Sequence, residues 1–69
     1  MTNRLVVCLK TYRQQAGLTQ AELAEDVGVS RKTINTVENG VFIPSTVLAL
    51  TLADRLNCSV HDLFALPEK

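Results

Sequence analysis

Sixty-nine residues, 46% of them hydrophobic but only three aromatic, form one small domain. An aliphatic composition favours a tight helical core over a sheet, and so short a chain is marginally stable alone, so a partner subunit would help. The sequence shows no charged-then-apolar pattern with a cleavage site of the kind found in signal peptides, and no apolar run approaches the roughly 18 residues that span a bilayer. We therefore expect a cytoplasmic protein with no membrane partner.

Seven basic and seven acidic residues give a formal net charge of zero, which argues mildly against nucleic-acid binding because phosphates usually demand a basic excess. The charges are unevenly distributed, however. The part of the chain up to Lys32 is net positive and the remainder is net negative. This small imbalance is the pattern expected if one face of the domain meets phosphates and the other faces away.

Residues that could carry catalysis or bind a metal are nearly absent. Cys8 and Cys58 lack zinc-site spacing and His61 does not complete a site, so we predict two reduced thiols that act as small apolar residues. A disulfide or redox switch is the less favoured alternative. Paired carboxylates, nucleophile–base sets and a phosphate loop are also missing. The sequence predicts no enzyme, no metal, no cofactor and no room for a small-molecule effector.

The first predicted helix begins at a cap, Thr2 or Asn3, and runs to about Ala16, where Gly17 ends it. Its apolar residues recur at spacings of four and three. These residues are Leu5, Leu9, Tyr12 and Ala16.

The next two helices are short and amphipathic, and a tight turn joins them. Thr19 caps the first of the pair and forms a capping box with Glu22. Gly28 can take the left-handed conformation that ends this helix, and Ser30 can cap the next. That helix stops at 39–40, where Asn-Gly is a strong C-terminal signal. The pattern predicts a helix-turn-helix at about 19–39.

An extended connection over 41–44 leads to the last two helices, because the residue before a proline avoids helical backbone. Ser45 caps the fourth helix and Asn57 ends it, while Ser59 and Asp62 form a second capping box for the fifth. The core-facing residues of these helices are Leu48, Ala49, Leu52, Ala53 and Leu56, then Val60, Leu63 and Phe64. The predicted fold class is all-α, a compact bundle of five short helices in a single domain, 1–69.

The third helix carries a polar face that the core does not need. At about 100° per residue, Ile34 and Val37 point one way. Four polar residues cluster roughly opposite, namely Arg31, Lys32, Asn35 and Thr36. A helix of this kind on a compact body can enter the major groove of DNA with its N-terminal end. A merely solvated face is the alternative.

Each of these side chains matches a group on the edge of a base. Arg31 and Lys32 suit guanine O6 and N7, and Asn35 could pair with adenine N6 and N7. Thr36 offers a methyl group for thymine or a hydroxyl for phosphate. These four residues are the predicted base contacts.

Several motifs in order resemble the Cro/repressor-type helix-turn-helix family, the XRE class. They are Gly17-Leu-Thr-Gln-Ala-Glu-Leu-Ala, Gly28-Val-Ser-Arg-Lys-Thr-Ile, Glu38-Asn-Gly, Pro44-Ser and Leu63-Phe. The resemblance runs from about Leu5 to Phe64 and is greatest to short stand-alone bacterial regulators. It implies a lambda-repressor-like DNA-binding domain that regulates transcription, and it supports the base contacts.

The resemblance also implies contacts to the DNA backbone. The candidate phosphate-contacting residues are Lys10, Thr19, Gln20, Ser30 and Asn39. A residue at the Gln20 position often holds a phosphate or braces the recognition helix. Thr19 and Ser30 can cap a helix at the same time, and Lys10 could equally be a solvated lysine. By the same resemblance, Arg13 and Glu38 form a structural ion pair between the first and third helices. A phosphate contact is the alternative for Arg13.

The chain departs from the family pattern after the third helix. Val41 stands where many relatives have lysine or arginine, which removes one expected phosphate contact. Phe42 replaces a common tyrosine, so it is expected in packing or in a dimer surface rather than against DNA.

The sequence thus predicts a sequence-specific DNA-binding transcriptional regulator, by default a repressor, whose partner is double-stranded operator DNA. Because one short helix is too little for tight binding, we expect a homodimer on a palindromic operator. Its surface would lie around Phe42, Ile43 and the last two helices. The alternative is a protein-interaction module, such as an antitoxin-like or adaptor partner. Zero net charge and surface valines (Val6, Val7 and Val47) favour that alternative.

Overall fold

The computed structural model describes residues 5–67, so the predicted caps Thr2 and Asn3 lie outside the described residues. In chain order the elements are β1 (Val6–Val7), α1 (Leu9–Gln15), α2 (Gln20–Val27), α3 (Arg31–Glu38), α4 (Thr46–Arg55), α5 (Val60–Leu63) and β2 (Phe64–Ala65). The fold is mostly helical, as predicted. None of the described helices is both long and apolar enough to cross a bilayer.

Side-chain caps start four of the helices, as predicted. Thr19 and Glu22 form reciprocal hydrogen bonds of 3.1 and 2.9 Å at the start of α2, and Ser59 with Asp62 does the same for α5. Ser30 and Ser45 accept hydrogen bonds from backbone N–H groups at the starts of α3 and α4. Replacing such a cap by alanine costs about 1 kcal/mol.

The turn between α2 and α3 depends on Gly28, whose φ of 78° lies in the left-handed region. A side chain at this position would be strained by its own backbone, even though the surrounding space is open. Gly28 therefore sets the direction in which α3 leaves α2.

The predicted first helix is wrong at its N-terminal end. Val6 and Val7 form β1, which pairs antiparallel with Ala65 and Phe64 of β2, and the N–H of Cys8 donates to the Leu63 carbonyl over 2.8 Å. Adjacent β-branched residues favour extended backbone, and β2 supplies them with hydrogen-bond partners. The helix therefore begins only at Leu9.

Two further expectations differ from the structure. Phe64 belongs to β2 rather than to the fifth helix, with φ of −137° and ψ of 133°, although it is still buried. Ala16, expected on the core-facing side of the first helix, is the exposed C-cap of α1. The short sheet thus joins the chain just before α1 to the chain just after α5.

The core draws at least one large apolar side chain from each of the five described helices. Its fully buried members are Leu9, Leu23, Ile34, Val37, Leu52 and Leu63. Truncating one such side chain to alanine costs about 2–5 kcal/mol, which is a large part of the stability of a domain this small. The core therefore holds α3 in a fixed orientation.

Both cysteines are free thiols in the structure. Cys8 is exposed before α1, while Cys58 is half-buried after α4. Burial, and then the negative charge of Asp62, raise the pKa of the Cys58 thiol, which lowers its thiolate fraction and its reactivity at neutral pH. Asp62 is also the main reason that the pKa of Tyr12 is raised.

Candidate nucleic-acid interface

The polar face of α3 projects into solvent. Arg31, Lys32 and Asn35 are exposed, and Thr36 is half-buried, while Ile34 and Val37 are fully buried on the opposite side. Ser30 caps the helix from outside its first turn and leaves the Arg31 and Lys32 side chains unobstructed. The structure therefore brings all four predicted base-contacting residues onto one accessible helix face.

The pairing of charges explains how a neutral chain presents a cationic face. Arg13 pairs with Glu38, and Arg55 pairs with Asp26 over 2.7 Å. The other lysines and arginines among residues 5–67 form no ion pair within that part of the chain. They are Lys10, Arg31 and Lys32, and all three are exposed. Two basic residues are thus neutralised elsewhere, while those at the start of α3 are available to a ligand.

A buried ion pair connects α1 to α3. The Arg13 Nε atom donates to Glu38 Oε2 over 2.6 Å, and its Nη2 atom donates to Oε1 over 3.3 Å. Arg13 Nη1 also donates to the Leu18 carbonyl over 2.8 Å. The two side chains are only 9% and 3% exposed. The structure thus contains the pair that the resemblance implied, in a two-point geometry that fixes both groups.

Gln20 links α2 to the same carboxylate. Its Nε2 atom donates to Glu38 Oε1 over 2.9 Å and to Asn35 Oδ1 over 3.2 Å. Both hydrogens of this amide nitrogen are therefore used within the protein. Of the two family roles considered for this position, the geometry matches the bracing of the recognition helix. A phosphate would have to be bound by backbone N–H groups at the start of α2.

The other phosphate candidates differ in what their side chains already contact. Thr19 and Ser30 use their hydroxyls as caps, although the backbone amides of a capped helix start can still bind an anion. Lys10 on α1 is exposed, and so is Asn39, whose Nδ2 atom donates to Asn35 Oδ1 over 3.4 Å. The Lys10 side chain makes no hydrogen bond or ion pair within the described chain.

Thr36 is restricted by a contact that the sequence did not indicate. Its hydroxyl donates to the Thr33 carbonyl over 2.9 Å, a common local bond within helices. The hydroxyl proton is thus already used, which leaves the methyl group as the more available part of Thr36. Thr33 was not predicted to matter, but its own hydroxyl contacts Ser30 over 2.9 Å at the start of α3.

Comparison with known proteins gives the family. The helix-turn-helix family profile matches residues 9–63, and the chain belongs to this family, in its Cro/repressor or XRE branch. An HTH-type transcriptional regulator of Methanothermobacter thermautotrophicus is 44% identical over 61 residues, covering 87% of this chain and 88% of the relative. Antitoxin HipB of Escherichia coli K12 is 35% identical over 66 residues, covering 81% and 75%.

Solved structures show the same fold. The biofilm regulator SinR of Bacillus subtilis, solved in complex with DNA, matches with a TM-score of 0.71 at 31% identity, covering 77% of this chain and 86% of that one. ClgR of Corynebacterium glutamicum matches with a TM-score of 0.73 at 33% identity over 78% of this chain, which spans only 57% of that longer regulator. The chain is a transcriptional regulator with a helix-turn-helix DNA-binding fold, and its relatives are regulators rather than enzymes.

Proposed function

We propose that this protein is a sequence-specific repressor that binds a palindromic operator as a homodimer, with α3 in the major groove. The observation that carries the proposal is the exposure of Arg31 and Lys32, free of ion pairs within residues 5–67, at the N-terminal end of a rigidly held helix. This is the end of a recognition helix that reaches base edges. Asn35 and Thr36 extend the base-reading surface along the same face.

Backbone contacts would set the position of α3 in the groove. Lys10 supplies an exposed cation and Asn39 an exposed amide. At the start of α2 the free backbone N–H groups begin at Gln20, because the Thr19 N–H is bonded to Glu22 Oε1, and at the start of α3 they follow the Ser30 cap. Such contacts orient a protein on DNA without reading its sequence. The cytoplasmic location expected from the sequence is part of this proposal.

Selection of bound duplexes from a random pool tests this function most directly. We expect enriched sequences with two inverted half-sites whose centres are about one helical turn, roughly 34 Å, apart. Enrichment of a single unrepeated half-site would contradict the dimer. A pool that shows no enrichment at low salt would contradict the DNA-binding function altogether.

Lys10→Ala should weaken DNA binding in a salt-dependent way. Each lost phosphate contact flattens the slope of log affinity against log salt concentration by about one unit for each bound copy of the chain. A salt titration of affinity measures the slope. Arg55→Ala is the matched control, because Arg55 is already paired with Asp26. If Lys10→Ala and the unmodified protein gave equal slopes, Lys10 would face solvent and make no phosphate contact.

An apolar surface suited to a second copy begins directly after α3. One groove of about 330 Å³ separates the α3–α4 connection from α5, and a second, of about 440 Å³, continues towards β2. Leu5, Val60 and Phe64 line both grooves, and Ile43, Leu50 and Leu66 beside them are 57–82% exposed. We call these six residues the apolar face. It overlaps part of the region around Phe42, Ile43 and the last two helices in which the dimer surface was expected, and this overlap supports the proposed homodimer.

A twofold axis through the apolar face would fix the spacing of the two recognition helices, because the face adjoins the C-terminal end of α3. In such an interface the same patch of each copy packs against itself. Phe42, 48% exposed, lies in the same connection, and we propose that it borders this interface.

Leu50→Glu should convert the protein to a monomer, since it places a charge in the dimer interface. Operator affinity should fall by about a hundredfold or more, because each copy then binds one half-site alone. Light scattering after size exclusion gives the mass, and fluorescence anisotropy gives the affinity. Val47→Glu is the control, since Val47 is 75% exposed on the same helix but lines neither groove. If the Leu50→Glu variant remained dimeric, the dimer interface would have to lie outside the apolar face.

A protein-interaction module is the second candidate function. The similarity to a protein named antitoxin HipB and the size of the apolar face favour it. In that case a different protein covers the apolar face. The unmodified chain would then be monomeric at micromolar concentration, and Arg31→Ala/Lys32→Ala would leave its partner binding unchanged.

A further inference from the structure

A chain of four polar side chains fixes the orientation of the Asn35 amide. It runs from Arg13 through Glu38 and Gln20 to Asn35, and we call it the polar relay. We infer that Asn35, whose oxygen is held by the polar relay, presents its amide nitrogen to the groove and selects guanine rather than adenine. The inference rests on the proposed function and concerns how one base pair is read.

In each hydrogen bond of the polar relay, only one of the two groups can be the donor. A guanidinium can only donate and an ionised carboxylate can only accept, so Arg13 and Glu38 have fixed roles. Because Glu38 Oε1 accepts, Gln20 must turn its Nε2 atom toward the carboxylate, over 2.9 Å. The second hydrogen of that nitrogen then reaches Asn35 Oδ1, over 3.2 Å. The buried ion pair therefore determines which way an exposed amide points.

Asn35 Oδ1 also accepts a second hydrogen bond, from Asn39 Nδ2 over 3.4 Å. An amide oxygen has two lone pairs, and both are then used within the protein. The Asn35 Nδ2 atom, in contrast, makes no hydrogen bond within the described chain. Because Asn35 is exposed on the polar face of α3, it offers DNA donors only.

This arrangement changes the base that Asn35 suits. The bidentate pair of asparagine with adenine needs the amide oxygen to accept from N6 while the nitrogen donates to N7. An occupied oxygen cannot complete that pair. Guanine presents two acceptors, O6 and N7, on its major-groove edge, and these match two free N–H donors. The adenine pairing expected from residue type alone is therefore replaced.

The first experiment locates the base pair and measures its preference. Random duplexes are selected with the unmodified protein and with Asn35→Ala, and the position whose preference disappears in the variant is the one that Asn35 reads. We expect the unmodified protein to prefer guanine over adenine there by about tenfold. A preference for adenine, or no position dependent on Asn35, would overturn the inference. If the unmodified protein enriches no duplex, the proposed function has failed first.

The second experiment removes the two hydrogen bonds that Asn35 Oδ1 accepts. In Gln20→Met/Asn39→Ala both donors to Asn35 Oδ1 are gone, and the guanine-to-adenine ratio at that position should fall by about tenfold. If Gln20 and Asn39 acted only on phosphates, affinity would drop uniformly for every base, and the unchanged ratio would overturn the inference.

The third experiment reverses the group presented to the groove. Asn35→Asp keeps an acceptor for Gln20 and Asn39 but turns a second oxygen outward, so the preferred base should change from guanine to cytosine, whose N4 donates. Circular dichroism checks that the helices persist. Guanine preference retained in Asn35→Asp would contradict a role for the Nδ2 donors.

Discussion

Arg31→Ala/Lys32→Ala is expected to abolish specific operator binding. A good bidentate base contact is worth about 1–3 kcal/mol, and a dimer loses the contacts of both recognition helices. At about 2 kcal/mol for each half-site, the affinity should fall by about a thousandfold. An electrophoretic shift on the selected operator at low salt measures the loss. The side chains are exposed, so the variant should keep its fold.

The matched control for this variant is chosen by charge. Arg31→Ala and Arg55→Ala each remove one arginine, but Arg55 is bound to Asp26 in an exposed pair that contributes little to stability. Only the change on α3 should weaken operator binding strongly. Equal losses of affinity in the two single variants would indicate a general effect of charge. Full operator binding by the double variant would show that α3 does not contact the DNA.

Glu38→Ala should strongly destabilise the fold. It leaves the Arg13 guanidinium buried, 8% exposed as a residue, without its counter-charge, and breaking such a buried pair costs about 3–5 kcal/mol. For a domain of this size each 1 kcal/mol corresponds to roughly 4–8 °C in Tm. We therefore expect a decrease of at least about 12 °C, measured by thermal unfolding followed by circular dichroism.

Two variants separate this effect from the mere loss of a carboxylate. Asp26→Ala breaks the exposed pair with Arg55 and should cost no more than about 1 kcal/mol. Arg13→Met/Glu38→Leu removes both buried charges and should recover much of the stability. If Glu38→Ala had a Tm as high as that of Asp26→Ala, the Arg13 guanidinium would have to reach water in the variant rather than stay buried without a partner.

Much of the helix-turn-helix could be predicted from neighbouring residues. The caps at Thr19, Ser30, Ser45 and Ser59 and the turn at Gly28 all formed as expected, because each depends on groups within about four positions. The polar face of α3 likewise follows from helical periodicity once Ile34 and Val37 are known to face the core. Only the caps proposed at Thr2 and Asn3 lie outside the described residues.

The start of α1 could not be predicted in the same way. The spacing of Leu5 and Leu9 suits a helix, but Val6 and Val7 pair with residues near the other end of the chain. A two-residue strand carries too little local signal to outweigh a helical pattern. What decides it is the presence of β2 at hydrogen-bonding distance, which depends on the packing of the whole bundle.

The sequence by itself determined the order of the helices, the caps of α2 to α5 and the polar residues that α3 presents, since these follow from interactions between near neighbours and from the burial of one helix face. Family resemblance, rather than spacing, indicated the Arg13–Glu38 pair across 25 residues. Only the tertiary structure decided how Gln20 and Asn35 join that pair. The direction of an amide depends on which donors and acceptors surround it, and packing brings these together from three different helices.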